Sequence, residues 1–298
     1  MQTAAVVPAL PAEHAVTTTD HTATTDDFAR LAITVHQPET PDPARPLVVL
    51  VHGWAASRTV WHSTARQLAA AGHTVATYDQ RGHASSTVGR EPISIERLAQ
   101  DLDTVVGTLT TPERPVVLVG HSGGGYAALA WAAQLSASRP AGAGGRLAGL
   151  VLVSTASHGQ NTPANEVKMM GSGLFSRALR TPWLGRKLLG QTHGPRATLE
   201  AREANRRLFA RTLPQTRAAC FASTQEMDQR AGLAGIAVPT AVITGTEDKI
   251  VKPSFSQELA AALPQATLYE VPGIGHMVPL ENPGHIAHHT HQLVLAGR

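Results

Sequence analysis

Val116-Val117-Leu118-Val119-Gly120-His121-Ser122-Gly123-Gly124 reads as an apolar strand running into Gly-x-Ser-x-Gly, and the stretch Tyr126 to Leu135 behind it has helical spacing. A strand, a glycine-flanked serine and a helix form the setting in which a serine hydroxyl is lifted clear of a sheet on a strained turn. Cβ atoms two residues before and after the serine would collide in such a turn, and Gly120 and Gly124 remove them. The competing reading, a phosphate loop, requires a Lys-Ser/Thr ending that this stretch lacks.

Working outward, short apolar runs recur at Leu47 to Val51, Thr74 to Tyr78, Leu150 to Val153, Thr240 to Thr244 and Thr267 to Val271. Helical stretches such as Val60 to Ala71 and Ile95 to Leu109 lie between most of them. Fully apolar strands alternating with helices predict an α/β fold, a mostly parallel sheet covered on both faces. The alternation breaks between Val153 and Thr240, where helix-like stretches (Leu174 to Leu189, Arg196 to Thr212) replace strands. A segment of that length is too long for a bare loop and predicts a helical cap over 155–235, inserted into a core made of 28–154 and 236–298. Residues 1–27, rich in Thr, Ala, Pro and Asp without sustained periodicity, read as a flexible N-terminal arm outside the core. The run Ser136 to Arg146, with Gly142, Gly144 and Gly145, reads as a surface loop without the spacing of a dinucleotide site.

A chain of 298 residues with 42% hydrophobic content can fill one large core. Its single cysteine, Cys220, leaves no intramolecular disulfide to form and no thiol pair for structural zinc, which points to the cytoplasm. No Lys or Arg precedes Arg30, so the basic region of an export signal is not expected, and no apolar run has the length of a transmembrane helix. The formal charge of +3 is unevenly placed. Residues 168–217 hold eleven Lys/Arg against two acids, Glu200 and Glu203, and the remainder holds fourteen against twenty.

Three further segments belong with the serine. His52-Gly53-Trp54 ends a strand; Val242-Ile243-Thr244-Gly245-Thr246-Glu247-Asp248 is strand then acidic loop; Gly273-Ile274-Gly275-His276 follows the last core strand. A catalytic imidazole needs a carboxylate on its other nitrogen to fix its tautomer. The acidic loop offers Asp248 and, one residue away, Glu247, and His276 is one of fifteen histidines. A fourth segment, Asp79-Gln80-Arg81-Gly82-His83-Ala84-Ser85-Ser86, reads as a brace for loops beside the site. His285, His288 and His289 lie at i, i+3, i+4 and are expected on a solvated helix face, not as metal ligands.

These motifs, in this order, resemble the α/β-hydrolase superfamily in its capped, lipase- and esterase-like branch, over about residues 28–296. The Asp79 segment resembles the family's Asp-x-Arg-Gly-x-Gly-x-Ser, with Ala84 where glycine is usual. The resemblance implies a catalytic Ser122, His276 and Asp248, an oxyanion hole from the backbone amides of Trp54 and Gly123, structural roles for Gly120 and Gly124, and support from His52 and His121. Preorganised amides of that kind are worth roughly 3 kcal/mol per donor. The implied chemistry is an acyl-serine route that splits an ester, lactone or thioester with no metal or organic cofactor. Carbon–carbon bond hydrolysis, perhydrolysis or a lyase or cyclase step would use the same triad, and a non-catalytic ligand-binding relative is the reading from another class. The apolar residues of the cap (Met169, Met170, Leu174, Phe175, Leu179, Trp183, Leu184, Leu188, Leu189) predict a roof for an apolar small-molecule substrate. Its arginines suit an anionic substrate or an acidic carrier protein, while nucleic acid is disfavoured because no binding motif accompanies them.

Overall fold

The computed structural model describes residues 2–3, 7–138, 146–159 and 163–296. Nine strands form one sheet: β1 (Gln2–Thr3), β2 (Val16–Thr24), β3 (Arg30–Pro38), β4 (Leu47–Val51), β5 (Val75–Tyr78), β6 (Val116–His121), β7 (Leu147–Val153), β8 (Thr240–Gly245) and β9 (Ala266–Val271), in the order β1-β9-β8-β7-β6-β4-β5-β3-β2. From β5 to β9 the pairing is parallel, and β3 and β2 join it antiparallel. The central runs Leu47–Val51, Val116–His121 and Thr240–Gly245 are buried at every residue, as a sheet covered on both faces demands. The glycines Gly142, Gly144 and Gly145 lie outside the described residues, and the helix before them runs on through Ala137.

The helices are α1 (His62–Ala70), α2 (Ile95–Leu109), α3 (Gly123–Ala137), α4 (Ala164–Gly171), α5 (Gly173–Arg180), α6 (Pro182–Leu188), α7 (Leu199–Arg211), α8 (Pro214–Ala222), α9 (Pro253–Ala262), α10 (Val278–Glu281) and α11 (Pro283–Ala296). Leu102, Leu129 and Leu259 of α2, α3 and α9 bury one sheet face; Ala65, Leu68, Ile286 and Val294 of α1 and α11 bury the other. Helices α4 to α8 occupy the interval between β7 and β8. The expected single helix Leu174 to Leu189 is two, because Pro182 has no N–H for a continuing ladder and opens α6 at its first position.

Two expectations are corrected. Residues 16–24, read as part of a flexible arm, pair with β3 at nine register positions, and Ala23, Thr25 and Asp27 are buried. The cause is tertiary. The partner strand supplies the ladder, and Asp27 receives two bonds from the wholly buried guanidinium of Arg81 at 2.9 and 3.0 Å. That cation holds the Asp27 carboxyl far below the usual carboxylate range. His285 and His289, expected on a solvated face, are 2% and 9% exposed, with His289 stacked on Tyr269 at 3.7 Å. Burial pushes their pKa values down to about 4 and about 3. Among the described residues no cluster has the geometry of a metal site.

Candidate active site

Strand order places β6 between β4 and β7, so successive connections leave in opposite directions and open a crevice at the carboxyl ends of the strands. Ser122 sits there, between β6 and α3, with φ 51° and ψ −120°. Left-handed φ crowds the Cβ of a non-glycine residue and persists only where neighbours impose it. The Ser122 N–H donates to the Val153 carbonyl at 2.9 Å, and its own carbonyl accepts from the Gly125 N–H at 2.8 Å and the Thr155 hydroxyl at 2.9 Å. A Cβ on Gly120 would lie 2.7 Å from the Gly124 carbonyl oxygen, and one on Gly124 would run into the carbonyls of Val51 and His52. At Gly123 the indole of Trp54 occupies the space a Cβ would need.

His276, after β9, sets its Nε2 3.0 Å from Ser122 Oγ and its Nδ1 2.9 Å from Asp248 Oδ2. The other carboxylate oxygen accepts the N–H groups of Ile250 and Val251, both at 2.9 Å, so Asp248 is held at both ends. A carboxylate facing Nδ1 keeps the proton there, which leaves the Nε2 lone pair for the serine hydroxyl. Glu247 is exposed and makes no side-chain bond among the described residues.

The main-chain N–H groups of Trp54 and Gly123 have no acceptor in the protein among the described residues. The segment that carries Trp54 is pinned from behind. His52, fully buried, donates from Nδ1 to the Gly53 carbonyl at 2.6 Å and accepts at Nε2 from the Gln80 N–H at 3.0 Å. His83 accepts the Ala55 N–H at Nε2 (3.2 Å) and donates from Nδ1 to the Arg81 carbonyl (3.0 Å). Both rings must be neutral to accept there, and burial pushes their pKa values down to about 4 and about 3. Asp79 holds the next turn through the Arg58 N–H at 2.7 Å and the Arg58 guanidinium. His121 donates from Nε2 to the His276 carbonyl at 2.9 Å, tying the serine turn to the histidine loop; burial pushes its pKa down to about 3.

Sequence reasoning gave no place to three contributors. His83 was hidden inside the Asp79 segment, Thr155 is an unremarked residue after β7, and Glu281 accepts from both Gly194 of the inserted segment (2.9 Å) and Gly275 beside His276 (3.3 Å). Ala84, in the place of the usual glycine, keeps the left-handed turn at φ 44°.

A cavity of about 420 Å³ opens on Ser122 and His276. Trp54, Tyr126, Phe175, Phe209, Phe221 and Met277 form much of its wall, and Met169, Met170, Leu188 and Leu189 come from the inserted helices. Phe175, Leu179 and Leu189 are buried as the apolar spacing implies, whereas Leu174 and Trp183 are 80% and 63% exposed.

A family model, serine aminopeptidase S33, matches residues 42–283. The chain belongs to this family. The match agrees with the α/β-hydrolase fold, and the chain is a hydrolase whose relatives include esterases and lipases. This S33 member is 30% identical over 242 residues to a pimeloyl-[acyl-carrier protein] methyl ester esterase of Chromobacterium violaceum, covering 78% of this chain and 87% of the relative. It is 28% identical over 261 residues to the sn-1-specific diacylglycerol lipase ABHD11 of Mus musculus, covering 81% and 78%. Among solved structures it resembles a thermophilic esterase from Thermogutta terrifontis, with TM-score 0.74, 25% identity and coverage of 94% and 99%. No helix among the described residues is long and apolar enough to cross a membrane.

Proposed function

We propose that this S33-family protein hydrolyses carboxylic esters with an apolar acyl or alcohol part through an acyl-serine intermediate. The observation that carries the reading is the continuous chain Asp248, His276, Ser122, at 2.9 and 3.0 Å, on the floor of an apolar-walled cavity. His276 takes the Ser122 proton as Oγ attacks the carbonyl carbon, and Asp248 stabilises the imidazolium. The free amides of Trp54 and Gly123 receive the developing oxyanion. The imidazolium returns its proton to the departing alcohol; a water deprotonated by His276 then releases the acid and restores Ser122.

The exposed cations of the inserted helices favour substrates with a negative charge remote from the reacting bond. Arg186, Arg206 and Arg207 are spoken for by Glu203, and Arg202 by the carbonyls of Ala197 and Gly194. Arg177, Arg180, Lys187 and Arg211 stand exposed without an acidic partner among the described residues, and they could steer an anionic ester or an acidic carrier protein.

The test is to label the protein with a fluorophosphonate, locate the adduct, and follow p-nitrophenyl esters of increasing chain length. An adduct on Ser122, a chromophore burst and a preference for medium or long acyl chains are expected. Labelling without ester turnover would sink ester hydrolysis and hand the triad to carbon–carbon bond cleavage, perhydrolysis or a lyase step; no labelling would sink the nucleophile. Raising salt should lower kcat/KM for an anionic ester and leave that of a neutral one flat.

A further inference from the structure

A second cleft of about 750 Å³ lies between α1 and the β2-β3-β5 end of the sheet, and it shares no lining residue with the first. A sheet covered by a helix should be apolar on the covered face. The opposite face of β3 obeys, with Leu31, Ile33 and Val35 buried. The face turned to α1 does not: its floor is Thr18, Asp20, Thr34, His36 and Thr77, which neighbour one another across the ladders as Thr18 with His36, Asp20 with Thr34 and Thr34 with Thr77. Above that floor Arg58, His62 and Arg66 recur at every fourth residue, and His14 closes one end.

Thr18, His62 and Arg66 of this cleft are exposed, and what distinguishes it from a solvated seam is a buried ring nitrogen without a partner. Arg58 is engaged by Asp79 and Thr34, and the lone acid of the lining, Asp20, accepts from Thr34. The side chains of His14, Thr18, His62 and Arg66 make no hydrogen bond or ion pair among the described residues. His36 is 6% exposed, and its buried Nδ1 has no partner. Burying a ring nitrogen without a partner costs free energy that a ligand would recover. These groups approach from the helix, the sheet and the segment before β2, three directions that suit a tetrahedral, multiply charged oxyanion better than a planar carboxylate with two acceptor oxygens.

We propose that this cleft is a second binding site, for a phosphorylated small molecule or lipid headgroup whose phosphate is held by Arg66, His62, Thr18 and His36. The rest of the volume takes the group esterified to the phosphate. The site is independent of Ser122 chemistry. It lies, however, four residues from Trp54 along the chain at Arg58, the residue whose N–H and guanidinium Asp79 holds.

Calorimetric titration of the full chain at low ionic strength with glycerol 3-phosphate and with pyrophosphate gives the soluble arm. Co-sedimentation with phosphatidylcholine vesicles, with and without phosphatidic acid, gives the lipid arm. Saturable binding in either arm is expected, weakened about tenfold or more by Arg66→Glu and by Thr18→Val. Ser122→Ala should bind as the wild type does, and Arg66→Glu should hydrolyse a neutral ester at the wild-type rate, which shows that it folds. Binding in the soluble arm identifies a free phosphate ester as the ligand, and binding confined to phosphatidic acid vesicles identifies a lipid headgroup. The proposal is overturned by no saturable binding in both arms, by binding that survives both substitutions, or by acetate displacing the probe as well as sulfate does.

Discussion

Two arginines, both fully buried, stand in the two halves of this protein and are treated differently. In the core, Arg81 meets two carboxylates, Asp27 and Asp101, through four bonds of 2.6 to 3.0 Å. In the inserted segment, Arg217 has no carboxylate partner among the described residues: its guanidinium donates to the carbonyls of Met170, Phe209 and Thr212 and to the Ser176 hydroxyl. Burial without a counter-charge pushes its pKa down. The core therefore fixes its loops with compensated charge, whereas the helices over the cavity converge on one cation satisfied only by neutral acceptors. On the proposed function, the chemistry falls to the first kind of scaffold and substrate choice to the second.

The contrast is broken most severely at the serine. Ser122→Ala should abolish nearly all ester turnover with little change in thermal stability, and Asp248→Asn should lower kcat by roughly 10⁴ through the wrong imidazole tautomer. Glu247→Gln should leave turnover near wild type; a larger loss there than at Asp248 would move the acid by one residue. Arg217→Met tests the other half. It strands the buried carbonyls of Phe209 and Thr212 and the partly buried one of Met170, and should destabilise the inserted helices by about 2–4 kcal/mol. Turnover of long-chain esters should fall, while fluorophosphonate still labels Ser122; loss of both together would erase the division of labour.

Acid should reach the core before the inserted helices. His52, His83, His121, His285 and His289 all lie in the core, and burial pushes their pKa values down to about 3 or 4. In the unfolded chain they titrate near 6.5. Above about pH 6.5 both states are neutral and these groups contribute no pH dependence. Below it the unfolded chain binds protons that the fold refuses, so stability declines as pH falls and levels only near pH 3–4. Denaturant midpoints measured from pH 8 to pH 4 should show this fall, and hydrogen exchange should place the first opening in α11 and the Trp54 loop. A flat profile down to pH 5 would contradict it.

The smallest effect is expected at Ala84. Its φ of 44° costs a non-glycine residue about 1 kcal/mol, part of which glycine returns as unfolded-state entropy. Ala84→Gly should therefore stabilise the core by about 0.5 kcal/mol, visible as a small rise in Tm.

What the sequence made legible follows from where the information lies. The runs Leu47–Val51 and Val116–Val119 announce buried strands by composition alone, and the serine turn needs glycines at fixed offsets. The histidine and its acid are ordered along the chain, which made Asp248 and His276 the candidates the structure brings to Ser122. Strand β2 was illegible because Val16–Thr24 is mostly exposed threonine, and its order comes from β3 and from Arg81, fifty-four residues beyond Asp27. The burial of His285 and His289 was illegible for the same reason, since Tyr269 on a neighbouring strand decides which face of α11 is covered. The i, i+3, i+4 spacing specified a face without saying which way it points.

The tight seat of Gly124 against the carbonyls of Val51 and His52 bears on how such a protein changes over time. At that contact the Ser122 turn meets the end of β4 main chain on main chain, with no side chain between the two to be exchanged. Drift in the surrounding core cannot retune that spacing by small steps; only loss of the glycine alters it, and that loss is abrupt. The inserted helices, by contrast, line the cavity with side chains such as Met169, Phe175 and Leu188, each replaceable without touching the reacting atoms. Selection can thus explore new substrates over a chemistry that it is unable to adjust gradually.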